Sequence, residues 1–323
     1  MVRVSNNRDE WTPLRISALR RRLDEEGRTR IAFSERMYLS RETNERMGEL
    51  LASNCDRTGE DEEQLYLWFA HPEELLAEAV TQQCALLLSE DERARWRRFR
   101  LARNRHEYLI TRTLVRTALS QYHSIAPEAW RFQSNEYGKP STVPDCGLRF
   151  NLSNSPGMVV CLISRGPEVG VDVEPYERAE EIAELAPEVF SPPELAQLAA
   201  LSNRERLDRA LSLWTLKEAY IKAKAMGLSL EMNEFSFLFG GAKGIRLEVD
   251  LRSCPEPGRS WKFCLLDHAG HRIALMAEMG DSPELQRWDA RPFRSSPARL
   301  ADSEVRWFST SQTDRARESV KSL

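Results

Sequence analysis

Between Leu148 and Glu174 the chain carries three short apolar stretches separated only by turns, and this run constrains the fold more than any other feature. Leu148-Arg149-Phe150-Asn151-Leu152-Ser153 and Met158-Val159-Val160-Cys161-Leu162-Ile163 read as a strand pair. Val169-Gly170-Val171-Asp172-Val173-Glu174 reads as a third strand, ended by Pro175. Upstream, Leu65-Tyr66-Leu67-Trp68-Phe69-Ala70 reads as a buried strand, and Ser89-Glu90-Asp91-Glu92 as a helix N-cap with acids in the first turn. Leu109, Leu114, Val115 and Leu119 recur at helical spacing, which predicts a helix over about 103–122. Downstream, helices are expected over 193–201 and 204–226, the second closed by Gly227. Strands are expected near 235–239, 245–249, 261–266 and 273–278. This mixed order gives an α+β fold class.

Domain organisation follows from composition. Residues 1–62 are a polar, arginine-rich extension with one amphipathic helix near Ile16–Leu23. Two strand-and-helix halves follow, 63–160 and 161–280. Residues 281–323 mix Pro, Ser, Arg and acids and read as a flexible tail. The 323 residues suffice for one large core or two ordinary ones. No apolar run approaches the ~20 residues that span a bilayer, and the N-terminus has no secretion pattern. The six cysteines are scattered without a Cys-x-x-Cys clip, so the expectation is a reduced, cytoplasmic protein without a zinc site.

Three groups of residues could carry chemistry. Asp172 and Glu174 flank Val173, so alternation along a strand turns both carboxylates to one face. Crowded carboxylates repel, and a hard cation such as Mg²⁺ relieves the repulsion; taken alone, the triplet reads first as an acidic solvent-facing edge, since such triplets are common. Glu218 and Lys222 stand four apart on a helix, as an ordinary surface ion pair or as a charge pair aimed at a phosphate. Leu213, Leu216, Ala219, Tyr220 and Ala223 form the core stripe of that helix, and Trp214 reads as core. Nine arginines lie between Arg93 and Arg116 against one acid, Glu107. They fit a solvated face or a site for phosphorylated ligands and acidic proteins. The net charge of −4 and few interleaved aromatics put nucleic acid last.

In order along the chain, four blocks resemble the surfactin-type 4′-phosphopantetheinyl transferases: Tyr137-Gly138-Lys139-Pro140, Phe150-Asn151-Leu152-Ser153, Gly170-Val171-Asp172-Val173-Glu174, and the run from Trp214 to Ala223. The resemblance spans about residues 65–280 and implies two pseudo-symmetric αβ halves with the active site at their junction. It implies transfer of phosphopantetheine from coenzyme A to a serine of an acidic acyl or peptidyl carrier protein, with Mg²⁺ as cofactor and 3′,5′-ADP released. By motif position Asp172, Glu174 and Glu218 would be the metal-linked acids and Glu218 the general base. Lys222 would neutralise the diphosphate, with Lys217 a secondary contributor. Arg95, Tyr137, Gly138, Lys139, Pro140 and Ser153 would hold the nucleotide end. Relatives often carry histidine where this chain has Asn154, so phosphate binding there would lack a positive charge. The two-half pattern favours a monomer. A non-catalytic coenzyme A binder and a Mg²⁺-dependent phosphodiesterase are the competing readings.

Overall fold

The computed structural model describes residues 64–225, 230–240, 244–248, 260–279, 283–290, 298–300 and 305–309. The expected helix near residues 16–23 and the expected cap at Gly227 lie outside the described residues.

The first half opens with β1 (Gln64–Ala70), followed by helices α1 (Glu78–Leu87), α2 (Glu90–Arg98) and α3 (Ala102–Leu119). The short strands β2 (Phe132–Ser134) and β3 (Pro140–Thr142) pair as a hairpin, and the long hairpin β4 (Leu148–Ser155)–β5 (Met158–Arg165) completes the half. The second half has β6 (Val169–Pro175) and then α4 (Ala179–Val189), α5 (Pro192–Ala199) and α6 (Asn203–Lys224). A small hairpin, β7 (Ser236–Gly240) and β8 (Gly244–Glu248), precedes the long one, β9 (Ser260–His268) and β10 (His271–Met279).

Two sheets result. One runs β11-β1-β5-β4, where β11 (Glu284–Asp289) pairs in parallel with β1 and the two-residue β12 (Ala298–Arg299) extends the edge. The other runs β9-β10-β6, edged by β13 (Phe308–Ser309). Three apolar clusters hold these layers. One packs α3 on the first sheet around Leu109, Leu114, Phe150 and Cys161. A second packs α6 on the second sheet around Leu216, Tyr220, Phe237 and Phe263. The third lies between the sheets, where Leu65, Leu67, Val160 and Leu162 meet Val171, Val173, Ile273 and Leu275. The α+β class stands.

Several expectations change. Residue 160, where one half was expected to end, lies inside β5, one uninterrupted strand bonded to both β1 and β4. Helix α4 was not expected; Pro187 hides it, yet Ile182, Ala186 and Val189 recur at helical spacing and are buried. Helix α6 ends at Ala225, which adopts φ 55. The expected tail contains β11, none of whose residues is fully buried, so no apolar run announces it.

The arginine run also divides. Ser89 and Glu92 form a capping box on α2, and Glu92 also binds Arg112 (2.5 Å) and Arg116 (2.6 Å) from α3. Arg116 is 1% exposed and further donates to the carbonyls of Pro127 and Trp130. Two of the nine arginines therefore serve the interior, while Arg95, Arg97, Arg98, Arg100 and Arg103 face solvent.

Candidate active site

The site begins with the alternation of β6. Val169, Val171 and Val173 enter the core between the sheets, so Gly170, Asp172 and Glu174 take the opposite face, which α6 covers. Gly170 sets how closely that helix approaches. A Cβ there would stand 2.1 Å from the Ala219 carbonyl oxygen and 2.6 Å from the Ala223 nitrogen. Only glycine permits this contact of strand and helix backbones.

Strand β4 supplies the third wall. β4 and β6 are the facing edges of the two sheets and share no ladder. Side chains stitch them instead: Asn151 Oδ1 accepts the Val171 N–H (2.9 Å), and the Ser153 hydroxyl donates to Asp172 Oδ1 (2.9 Å). Lys222 on α6 then donates to Asp172 Oδ1 (2.6 Å) and to the Ser153 oxygen (2.9 Å). One carboxylate thus gathers residues from both halves. Burial works against the Lys222 charge, but Asp172 and then Glu218 outweigh it and hold the ammonium above the ordinary lysine range. Glu218, half-buried one turn before Lys222, therefore bears on the same centre.

Glu174 is held differently. Its Oε1 accepts Arg178 Nη1 (2.6 Å) and Trp214 Nε1 (2.9 Å). Burial first, and the Asp172 charge second, push its carboxyl up to about 7 despite those donors. Among the described residues no three His, Cys, Asp or Glu side chains are spaced to hold a metal ion. Asp172, Glu174 and Glu218 are thus not closed into the expected ligand set. The donor chemistry nevertheless suits a hard cation: Asp172 Oδ2 is buried without a hydrogen-bond partner, and Glu174 lies two residues along the same strand face.

The remaining expected residues separate. Lys217 is fully buried, and its ammonium binds the carbonyls of Met232 (2.6 Å) and Phe235 (2.5 Å) and the carboxylate of Glu194 (2.9 Å). Position decides this, since Lys217 follows Leu213 by four and precedes Tyr220 by three on the buried stripe. Tyr137 is 44% exposed at a turn where Gly138 takes φ 86, and Pro140 begins β3. Lys139 reaches across to the second half and is bound there. Asn154 is exposed, on the opposite face of β4 from Ser153. Arg95 lies on α2 with its guanidinium 5.6 Å from the Tyr108 ring centre. Sequence reasoning missed Gly170, Arg178, Trp214 as a donor, and Glu194. A glycine inside an apolar strand was the available signal for the first.

Two family models match successive stretches of the chain. Residues 168–276 match the 4′-phosphopantetheinyl transferase superfamily, and residues 77–165 match the 4′-phosphopantetheinyl transferase N-terminal family. The transferase Sfp of Bacillus subtilis is 30% identical over 215 residues, covering 65% of this chain and 90% of that protein. The chain belongs to the 4′-phosphopantetheinyl transferase family. HetI, the 4′-phosphopantetheinyl transferase of a Nostoc species, is 31% identical over 155 residues, which cover 47% of this chain and 65% of HetI. A phosphopantetheinyl transferase of Thraustochytrium is 31% identical over 204 residues, 59% of this chain and 70% of that one. The two family matches meet between Arg165 and Glu168, where the structure passes from one sheet to the other.

Proposed function

We propose that this transferase moves the 4′-phosphopantetheine arm of coenzyme A to a serine of an acidic acyl or peptidyl carrier protein, releases 3′,5′-ADP and depends on Mg²⁺. The observation that carries this reading is the buried Asp172 carboxylate, tied to Lys222 and Ser153 through one oxygen and unpartnered at the other. A buried anion oxygen without a donor is costly unless a ligand completes it.

In this reading Asp172 and Glu174 would hold the ion, which would supply positive charge beside the diphosphate. Lys222 and the Ser153 hydroxyl, fixed by Asp172, orient the diphosphate of coenzyme A. Glu218 takes the proton of the carrier serine as its oxygen attacks the β-phosphorus. The bond from that phosphorus to the bridging oxygen breaks, and the electron pair leaves on 3′,5′-ADP. The Tyr137-Gly138 turn and Arg95 serve the nucleotide end, and the exposed arginines of α2 steer the acidic carrier.

Both halves of one chain build the centre, which supports action as a monomer. The described cysteines, Cys84, Cys146, Cys161 and Cys264, are all free, which supports a cytoplasmic setting. Among the described residues no helix is long and apolar enough to cross a membrane. We read residues 64–165 and 169–279 as the two halves.

The test is incubation of an apo-carrier with coenzyme A, Mg²⁺ and the protein, read by intact mass and by chromatography for 3′,5′-ADP. Gain of one phosphopantetheine arm with equimolar 3′,5′-ADP is expected. An unmodified carrier, or modification of a carrier lacking the serine, refutes the reading.

A further inference from the structure

The β2–β3 hairpin belongs to the first half by sequence, yet it is fastened to the second. Lys139, on its returning side, sends its ammonium to Glu168 Oε2 (2.5 Å), the Val169 carbonyl (3.1 Å) and the Ala223 carbonyl (3.0 Å). An ammonium has three N–H donors, and each of these has a protein acceptor. The side chain is 12% exposed. Asn135 fixes the same hairpin: its Oδ1 accepts the Tyr137 and Lys139 N–H groups, and its Nδ2 donates to the Ala225 carbonyl.

The acceptors define what this clamp joins. Val169 opens β6, the strand of Asp172, while Ala223 follows Lys222 in the last turn of α6. They flank the point where Gly170 lets the two backbones meet, since an added Cβ would also lie 2.8 Å from the Ala223 Cβ. A cation on the final carbonyls of α6 satisfies a helix end as well. The distance between β6 and α6 sets whether Lys222 reaches Asp172 at 2.6 Å.

Resting on the transferase reading above, we propose that Lys139 is a positioning residue of the reaction rather than a ligand of coenzyme A: it fixes the spacing of β6 and α6 across which Asp172 and Lys222 meet. A phosphate ligand of the nucleotide end would have to abandon three protein acceptors on binding. A clamp keeps them throughout turnover.

Two variants and two substrates separate these roles. Coenzyme A and dephospho-coenzyme A differ only in the 3′-phosphate. Lys139→Met should lower kcat about tenfold or more with both, because even part of the ~1 Å misplacement that costs about 100-fold slows the step, and leave the ratio of their KM values within about twofold of wild type. Glu168→Gln, which removes the partner without touching a substrate, should lower kcat in the same direction. A Lys139→Met variant that loses only its preference for coenzyme A over dephospho-coenzyme A overturns the proposal. So does a Glu168→Gln variant that binds coenzyme A more tightly, since a lysine released from its carboxylate would gain affinity for phosphate. If Lys139→Met does not fold, Glu168→Gln decides alone. Wild-type protein that fails to modify the carrier refutes the transferase reading itself; an active wild type with a collapsed substrate ratio in Lys139→Met refutes the clamp alone.

Discussion

Replacing Gly170 by alanine should disable the site without altering any functional group. The added Cβ would meet the Ala219 carbonyl oxygen at 2.1 Å, and real contacts of this kind essentially never fall below 3.0 Å, so the backbones must part by about 0.9 Å. The obstacles are backbone atoms of α6 and the Ala223 Cβ, so no rotamer change relieves them. Helix α6 carries Glu218 and Lys222, and parting of this size stretches the 2.6 Å bond from Lys222 to Asp172 to the edge of hydrogen-bonding distance. Overpacking of a closed core costs about 1–3 kcal/mol, and misplacement of catalytic groups by ~1 Å costs about 100-fold in rate. Thermal unfolding followed by circular dichroism should show the first loss. A time course of carrier mass at saturating coenzyme A should show the second, with kcat falling by about two orders of magnitude. A Gly170→Ala variant that is as stable and as fast as wild type would refute the claim that this approach builds the site.

Asp172→Ala and Glu218→Ala should each lower the transfer rate by about 100–1,000-fold, measured in the same mass assay; near-normal turnover in either removes that residue from the chemistry. Lys217→Met should act on stability, because it strands Glu194 in the core without its cation. About 3–5 kcal/mol should be lost in urea unfolding at pH 7, and a loss below about 1 kcal/mol would contradict the buried pair. Burial alone would raise the Glu92 carboxyl, but Arg112, the Ser89 backbone and Arg116 outweigh it and hold it below the ordinary range. Its contribution is thus complete above the unfolded glutamate value and lost as pH falls through the lower folded one. Glu92→Gln should therefore be less stable than wild type at pH 7, and the difference should close with acidification below about pH 4. A gap that persists at low pH contradicts this assignment.

Much of the site was legible because its signals are local. Strict alternation in β6 put Asp172 and Glu174 on one face, and the spacing of four put Glu218 and Lys222 on one side of α6. What escaped depended on tertiary contacts. Lys217 is charged, yet its place on the stripe of Leu213 and Tyr220 buries it, and only the approach of Glu194 from α5 reveals how the charge is met. The strand β11 is polar because only the two-residue β12 covers its outer side, so its pairing with β1, some 220 residues away, leaves no periodic trace. The commitment of Lys139 to three acceptors required the hairpin to be seen docked on α6. The same letters, read without their neighbours, suggested a ligand.

In the proposed reaction Asp172 anchors a divalent ion beside the diphosphate of coenzyme A. Electron paramagnetic resonance of Mn²⁺, which substitutes for Mg²⁺ in oxygen sites, measures this directly. With coenzyme A present, wild-type protein should bind one Mn²⁺ and Asp172→Ala should bind none at the same concentrations. Equal Mn²⁺ binding by the two proteins would contradict the account.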